Sequence, residues 1–453
     1  MDSLLDVPLA GIVFKLLKIR QKLGQIKKEI LLSEDELRIY QLQTLKKLMA
    51  HAYARIPLYR EKWKTAGVGP DNLRSLADLC KFPIITKEDV RNAPLADIMA
   101  AGQPRTKYHI FKTTGSSGEP VSILYDRDRG FYEIAEISTF SINMHFRLNL
   151  KKGMSILVLD EEAMEILPAL EFPRMKKYLF DALDGVERHI EQINRVRPDY
   201  LVTYPSILKT IALKVQAEKI RIHQPKLLLT TGETHDGHTR KVISDTFTGE
   251  LLDGYAATET GVVAIECPAH HGLHVLGYKA IIEIVDDGGN LLPPGEIGNV
   301  IVTDLKSGAF PLIRYSGMGD IAGYHPGGRE GCRCHLSALP RLSRIEGRRI
   351  DSIILPDQTV IHPFKLTLLM QDIPEISKFQ IRQEKRDEVV VLIVASLERG
   401  GRISSDAPAW INLKDRLASV LGNDVAVNIK FVDEIPRHEH SHKIPTVVSL
   451  VHG

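Results

Sequence analysis

Hydrophobic and polar positions follow two rhythms along this chain. In LSEDELRIYQLQTLKKLMAHAYARI, Leu37, Tyr40, Leu45, Leu48 and Ala52 recur at near-helical spacing. Ser33 with Glu36 has the spacing of a capping box, so a helix is predicted to begin just after Ser33. Residues 1–75 as a whole read as a helical lead-in. From about residue 105 to 345 short β-prone runs such as SILVLD, DYLVTY, KLLLTTGE and NVIVTDL alternate with helical patterns. Apolar strands of this kind are buried on both faces, which predicts a large α/β body. The segment IIEIVDDGGNLLPPGEIGNVIVTDL holds two alternating runs separated by turn residues and predicts a β-hairpin. Beyond about 347, KFQIRQEK, EVVVLIVAS and VAVNIKFV predict strands and PAWINLKDRLASVLG a helix. The expected fold is therefore α/β, with a large multi-sheet domain over 1–346 and a small, mobile α+β domain over 347–453.

Composition narrows the partners. With 453 residues, 43% of them hydrophobic, the chain can bury a large core and a site within it. Lys+Arg 59 against Asp+Glu 57 leaves a formal charge of +2, so no global field recruits nucleic acid or an anionic membrane. The apolar N-terminal stretch SLLDVPLAGIVFKLLKIRQ is interrupted by Asp6, Pro8 and Lys15, and reads as neither a signal peptide nor a membrane span. Four Cys cannot make a disulfide scaffold in a chain of this length, and Cys332 and Cys334 stand one residue apart. That usage reads as metal binding in a reducing compartment, hence the cytoplasm. No internal repeat or low-complexity tract is visible.

Two constellations carry chemistry. TTGSSGEP, Thr113 to Pro120, lies between the β-prone segments KYHIFK and VSILYD. Gly115 and Gly118 let the backbone turn and expose N–H groups, and Thr113, Thr114, Ser116 and Ser117 add hydroxyl donors, a combination suited to phosphate oxygens. A plain hairpin turn is the competing reading. The segment lacks the Gly-Lys-Ser/Thr ending of a Walker loop, which argues against ordinary P-loop hydrolysis. The second constellation joins Cys267, His270, His271 and His274 to Cys332, Cys334 and His335. Three thiols and one imidazole suit a tetrahedral Zn²⁺ site tying two loops together. With the sphere filled by protein ligands no position is open to water, so the metal would be structural. Residue chemistry leaves His274, His270 and His271 all open as the fourth ligand. Cys80 stands apart and is expected in the core.

TTGSSGEP, LLLTTGETHDGHTR, DGYAATETG, PLIRYSGMGDIAGY, RIEGRRID and SHKIPTVVS resemble, in this order, the core motifs of the adenylate-forming superfamily, which includes acyl- and aryl-CoA ligases. IPLYREKW, FPIITKEDVR, RPDYLVTYPS and the placement of the cysteines look most like its phenylacetate-CoA ligase branch. The resemblance implies that Thr113–Gly118 bind phosphate, that Gly232 and Glu233 line the nucleotide site, and that Tyr255 stacks on adenine. It implies that Thr258 meets phosphate, Glu259 holds Mg²⁺, Asp320 accepts both ribose hydroxyls and Arg348 lies near ribose and phosphate. Lys443 is implied to bridge the acid and the α-phosphate, and Gly347 and Asp351 to lie where the domains pivot. Arg314 reads as structural or phosphate-facing. Among the histidines, His274 has the Gly-x-His spacing of the branch.

The implied activity is ATP-dependent ligation of a carboxylic acid, an aromatic one favoured by the branch, through an acyl-adenylate to a thioester of coenzyme A or of a carrier-protein thiol. The alternatives are an adenylating enzyme that passes the acyl or AMP group to another acceptor and a catalytically silent nucleotide-binding homologue. Acid-pocket walls are expected from about 140–260, including Tyr204, Pro205 and Ser206, and a homodimer is among the expected states.

Overall fold

The fold is known from a computed structural model. It describes residues 21, 24–26, 28–102, 106, 108–112, 121–126, 154–160, 175–182, 184–233, 237–328, 331–348, 351–361, 363–370, 373, 376–395, 408–422, 424–435 and 446–451. The capping box is formed: Glu36 N–H donates to the Ser33 hydroxyl and Ser33 N–H to the Glu36 carboxylate, opening the helix Glu34–Arg55. That helix buries Leu37, Leu45, Leu48 and Ala52, as its spacing predicts, buries Met49 as well, and leaves Tyr40 half-buried. Pro57 opens the next helix, Pro57–Thr65, at the one position where a missing N–H costs nothing. Its Tyr59 and Trp63 are fully buried, and Trp63 packs edge-on against Phe82. Tyr59 donates its hydroxyl to Pro311 O at 2.6 Å and accepts from Ile313 N–H at 2.9 Å, which fastens the lead-in to the large body.

Strands β1 (Tyr108–Lys112) and β2 (Ser122–Asp126) form an antiparallel pair, with Lys112 opposite Ser122. The main sheet has 11 strands and two halves. Its parallel half comprises β3 (Met154–Asp160), β4 (Met175–Asp181), β5 (Tyr200–Thr203), β6 (Leu227–Thr231) and β7 (Glu250–Ala257), in the order β4-β3-β5-β6-β7. The helices Val186–Val196, Pro205–Glu218 and Gly237–Thr246 pack through Ile190, Leu208, Ile211 and Ile243 onto Leu157, Leu201 and Leu228 of this half. From β7 the sheet continues antiparallel through β8 (Gly261–Glu266) and β9 (Leu273–Val275). Next to β9 lie β13 (Arg341–Arg348), β12 (Asp320–His325), β11 (Ile297–Asp304) and β10 (Ala280–Val285). Strands β10 and β11 form the predicted hairpin, with Ala280 opposite Asp304.

The C-terminal unit opens with the short pair β14 (Ile353–Ile354) and β15 (Val360–Ile361). Its four-stranded sheet runs in the order β18-β17-β16-β19, from β16 (Ile376–Lys385), β17 (Glu388–Ala395), β18 (Ala426–Phe431) and β19 (Val447–Ser449). Trp410, Leu413 and Leu417 of the helix Pro408–Leu421 complete its separate core. Between the two units β13 runs through Gly347, whose φ of 107° is a conformation that favours glycine. A Cβ there would also lie 3.0 Å from Pro363, at the head of the helix Pro363–Met370.

One expectation is corrected. Cys80 is exposed, because the 3₁₀ turn Leu76–Lys81 points Leu79 into the core and leaves the next side chain outward. Among the described residues, no helix is long and apolar enough to cross a membrane.

Candidate nucleotide site and metal centre

In an open α/β sheet ligands collect outside the carboxyl ends of the parallel strands. Here those ends carry Tyr204-Pro205-Ser206 after β5, Gly232-Glu233 after β6 and the turn Thr258–Thr260 after β7. Gly232 has φ 80°, which turns the chain sharply off β6. The Glu233 carboxylate accepts from Ser206 N–H at 3.0 Å and from the Ser206 hydroxyl at 2.9 Å, so it caps the helix Pro205–Glu218. Both expected pocket elements are therefore pinned to one another.

Strands β7, β12 and β13 supply the partner groups. Tyr255 donates its hydroxyl to Asp320 Oδ2 at 2.7 Å, joining residues 65 positions apart. A register shift between Tyr255 and Ala256 alters the pairing just where the strand approaches the turn. Arg348 lies directly opposite Asp320 in the β12–β13 pairing. Tyr255, Asp320 and Arg348 are thus neighbours, although three separate motifs contribute them. Glu259 is buried beside this group. Burial and then the Glu259 charge push the Tyr315 phenol up, so Tyr315 stays neutral. Tyr125, fully buried on β2, donates its hydroxyl to the Thr258 carbonyl.

Arg314 faces inward. Its Nε donates to Glu283 at 3.1 Å and its Nη1 to the carbonyls of Cys80 at 2.9 Å and Phe82 at 2.5 Å, which makes it a structural clamp. Residues 113–118 and Lys443 lie outside the described residues, as does the side chain of Arg348. Sequence spacing contained no sign of Tyr125, of Tyr315 or of the Ser206–Glu233 cap, since each acts across a tertiary contact.

The second constellation converges. The ligand atoms of Cys267, His274, Cys332 and Cys334 all lie within 4.8 Å of one another. Cys267 Sγ is 3.6 Å from Cys332 Sγ, and Cys334 Sγ is 3.2 Å from His274 Nε2. Ligands about 2.3 Å from a tetrahedral zinc stand roughly 3.8 Å apart, so the spacing fits this metal. Hydrogen bonding from Cys334 and then from His274 holds the Cys267 thiol well below its ordinary range, which suits a thiolate ligand. His274 enters the cluster because it is opposite Ile265 on β8 and Arg341 on β13, in the middle of the sheet. His270 does not enter it: at φ 53° it turns to the carboxylates of Glu266, at 3.0 Å, and Glu250, at 3.4 Å. His271 is likewise absent from the cluster, and its carbonyl accepts from Arg341. Beside these residues Asp253 is half-buried and accepts from the Thr230 hydroxyl at 3.1 Å. Burial, reinforced by the Glu266 charge, pushes its carboxyl up to about 7.

Residues 178–305 match the family profile of AMP-binding enzymes, and residues 353–449 that of the CapK C-terminal domain. The chain is 27% identical to a phenylacetate-coenzyme A ligase of Pseudomonas putida over 339 residues, covering 71% of this chain and 73% of the relative. It is 26% identical to a phenylacetate-coenzyme A ligase of Thermus thermophilus over 431 residues, covering 88% and 92%. The fold is shared with a crystal structure of 2-hydroxyisobutyryl-CoA ligase in the postadenylation state, bound to 2-HIB-AMP. That likeness has a TM-score of 0.75 at 20% identity and covers 90% of this chain and 88% of the other. The chain thus carries an AMP-binding enzyme domain, is similar over most of its length to phenylacetate-coenzyme A ligases, and shares the two-unit fold of a CoA ligase.

Proposed function

We propose that the chain is an AMP-forming acid–thiol ligase that activates a carboxylic acid with ATP and transfers the acyl group to coenzyme A. The observation that carries this reading is the meeting of Tyr255, Asp320 and Arg348 beside the turn holding Thr258 and Glu259. A carboxylate is a poor electrophile. Its attack on the α-phosphorus forms an acid–AMP mixed anhydride and expels pyrophosphate, after which a thiolate attacks the carbonyl and AMP leaves. In this scheme Asp320 accepts from the ribose, and the Tyr255 hydroxyl orients that carboxylate. Gly232 and the 113–118 segment border the phosphates, and Arg348 and Lys443 offset the negative charge that builds as two anions meet. Glu259 would hold Mg²⁺, which when bound would neutralise phosphate charge.

The four-residue Cys/His cluster would hold one structural zinc, pinning the β12–β13 connection to the middle of the sheet. Reduced thiols of this kind fit the cytoplasm. Aryl and arylacetic acids are the substrates to try first, because the relatives that span most of the chain bear the name phenylacetate-coenzyme A ligase.

The test is AMP release from ATP with a panel of aryl, arylacetic and fatty acids, each with and without coenzyme A. Acid-dependent AMP release that needs the thiol is expected. Acid-dependent pyrophosphate exchange without thioester formation would shift the acceptor to a carrier protein or another group. No exchange with any acid would sink the ligase reading.

A further inference from the structure

Resting on that ligase reading, we propose that two buried phenols, Tyr125 and Tyr315, are positioning residues that clasp the Thr258–Glu259 turn. They would set it relative both to the hairpin flanking residues 113–120 and to the strand carrying Asp320. Tyr125 is 1% exposed, on the second strand of that hairpin. Its hydroxyl donates to the main-chain carbonyl of Thr258, 133 positions away. A main-chain acceptor locates the turn itself and leaves the Thr258 hydroxyl and the Glu259 carboxylate to other partners.

Tyr315 comes from a different segment and is fully buried. Its backbone is held on two sides: it exchanges hydrogen bonds with Val302, and Ser316 N–H and Arg314 O bond Ile85. The ring cannot swing away, and Gly317 shows how tightly it is housed, since a Cβ there would fall 2.0 Å from the Tyr315 hydroxyl oxygen. That hydroxyl has no full hydrogen bond among the described residues, while the Glu259 charge acts on it. A phenol held this rigidly, with its hydroxyl without a full hydrogen bond among the described residues, keeps a donor for the turn that carries Glu259. Tyr315 and Asp320 are five positions apart, so one short stretch addresses both the Glu259 turn and the Tyr255–Asp320 pair.

A tyrosine that only filled the core would lower the amount of folded enzyme and leave its substrate dependence alone. A clasp acts on the geometry of the metal–phosphate site. Tyr125→Phe and Tyr315→Phe keep the ring and the packing and remove only the hydroxyl. Acid-dependent ATP–pyrophosphate exchange should show KM for MgATP, and the Mg²⁺ concentration for half activity, raised roughly fivefold in each, on the scale of one lost hydrogen bond. KM for the acid should change by less than about twofold. The control is Tyr40→Phe, which loses hydrogen bonds to Glu29 and Lys306 far from these motifs and should leave both constants unchanged. Both constants unchanged in the two variants of an active enzyme would overturn the clasp alone. A fall in kcat with both constants unchanged would show a structural role only. A wild-type protein with no exchange would overturn the ligase reading, and the clasp with it.

Discussion

The Cys/His cluster and the candidate nucleotide cluster meet at β12 and β13, one in the connection between these strands and the other on the strands themselves, yet they are built in opposite ways. The first draws its candidate ligands from the residue just after β8, from β9 and from the connection between β12 and β13, and closes on itself within 4.8 Å. It is buried and self-sufficient, as a structural metal site has to be. The second takes Tyr255 from β7, Asp320 from β12 and Arg348 from β13, and its other proposed groups come from the ends of the parallel strands, the β1–β2 hairpin and the C-terminal unit. On the proposed reading one cluster has to receive a substrate, whereas the other has only to hold its own ligands together. The contrast predicts that substitutions in the nucleotide cluster act on chemistry and those in the metal cluster on stability.

The largest effect should come from the group furthest away in sequence. Lys443→Ala should lower acid-dependent pyrophosphate exchange by at least about a hundredfold, the scale of losing one transition-state contact, while thioester formation from a supplied acyl-adenylate survives. Equal loss of both half-reactions would instead give Lys443 a general role in folding or closure.

Within the large body, Asp320→Ala should raise KM for ATP by roughly tenfold or more, because a charged acceptor for the ribose disappears. Tyr255→Phe removes only the hydrogen bond that orients the same carboxylate and should cost a smaller factor. Unchanged ATP affinity of Asp320→Ala in calorimetry would dismiss the ribose assignment.

In the metal cluster, protein purified without added metal should contain about one zinc per chain, and Cys332→Ser/Cys334→Ser should lose it and melt at lower temperature. Exchange activity of the fraction that remains folded should stay within about threefold of wild type, since these thiols touch no substrate. A larger loss in folded protein would erase the division between the two clusters, and zinc retained by the double variant would place the metal elsewhere.

The smallest effect concerns Asp253, between the two clusters. Its carboxyl is pushed up to about 7 from an ordinary 3.8, so the folded chain binds a proton that the unfolded chain releases across this window. Stability therefore falls as pH rises from about 4 to about 7 and levels off above. Asp253→Asn should flatten that slope in melting temperatures taken between about pH 5 and 8. An identical slope in wild type and variant would assign it to other groups.

The two clusters also differ in how far they could be read from sequence. Cys-x-Cys and the ordered motifs announced both, because ligand chemistry and motif order are local properties. The choice of His274 over His270 had only the Gly-x-His spacing of the branch behind it, not ligand chemistry. It depends on β9 lying between β8 and β13, and on the left-handed turn that sends His270 to Glu266 and Glu250. Cys80 was misplaced for a similar reason: an isolated cysteine has no period, and only the turn it occupies decides which way it points.

What the sequence determined by itself was the helical lead-in with its Ser33 capping box, the β10–β11 hairpin, the alternation that makes the parallel half, and the separate C-terminal unit. Each follows from hydrophobic period or turn chemistry over a few residues, where interactions are short in sequence and repeat. Tertiary structure alone decided that Tyr255 meets Asp320, that Glu233 caps a helix through Ser206, and that Tyr125 reaches Thr258 across 133 positions. These are single contacts between distant segments. They depend on strand order and register, which side-chain periodicity does not encode, and on which buried polar group finds which partner once water has been excluded.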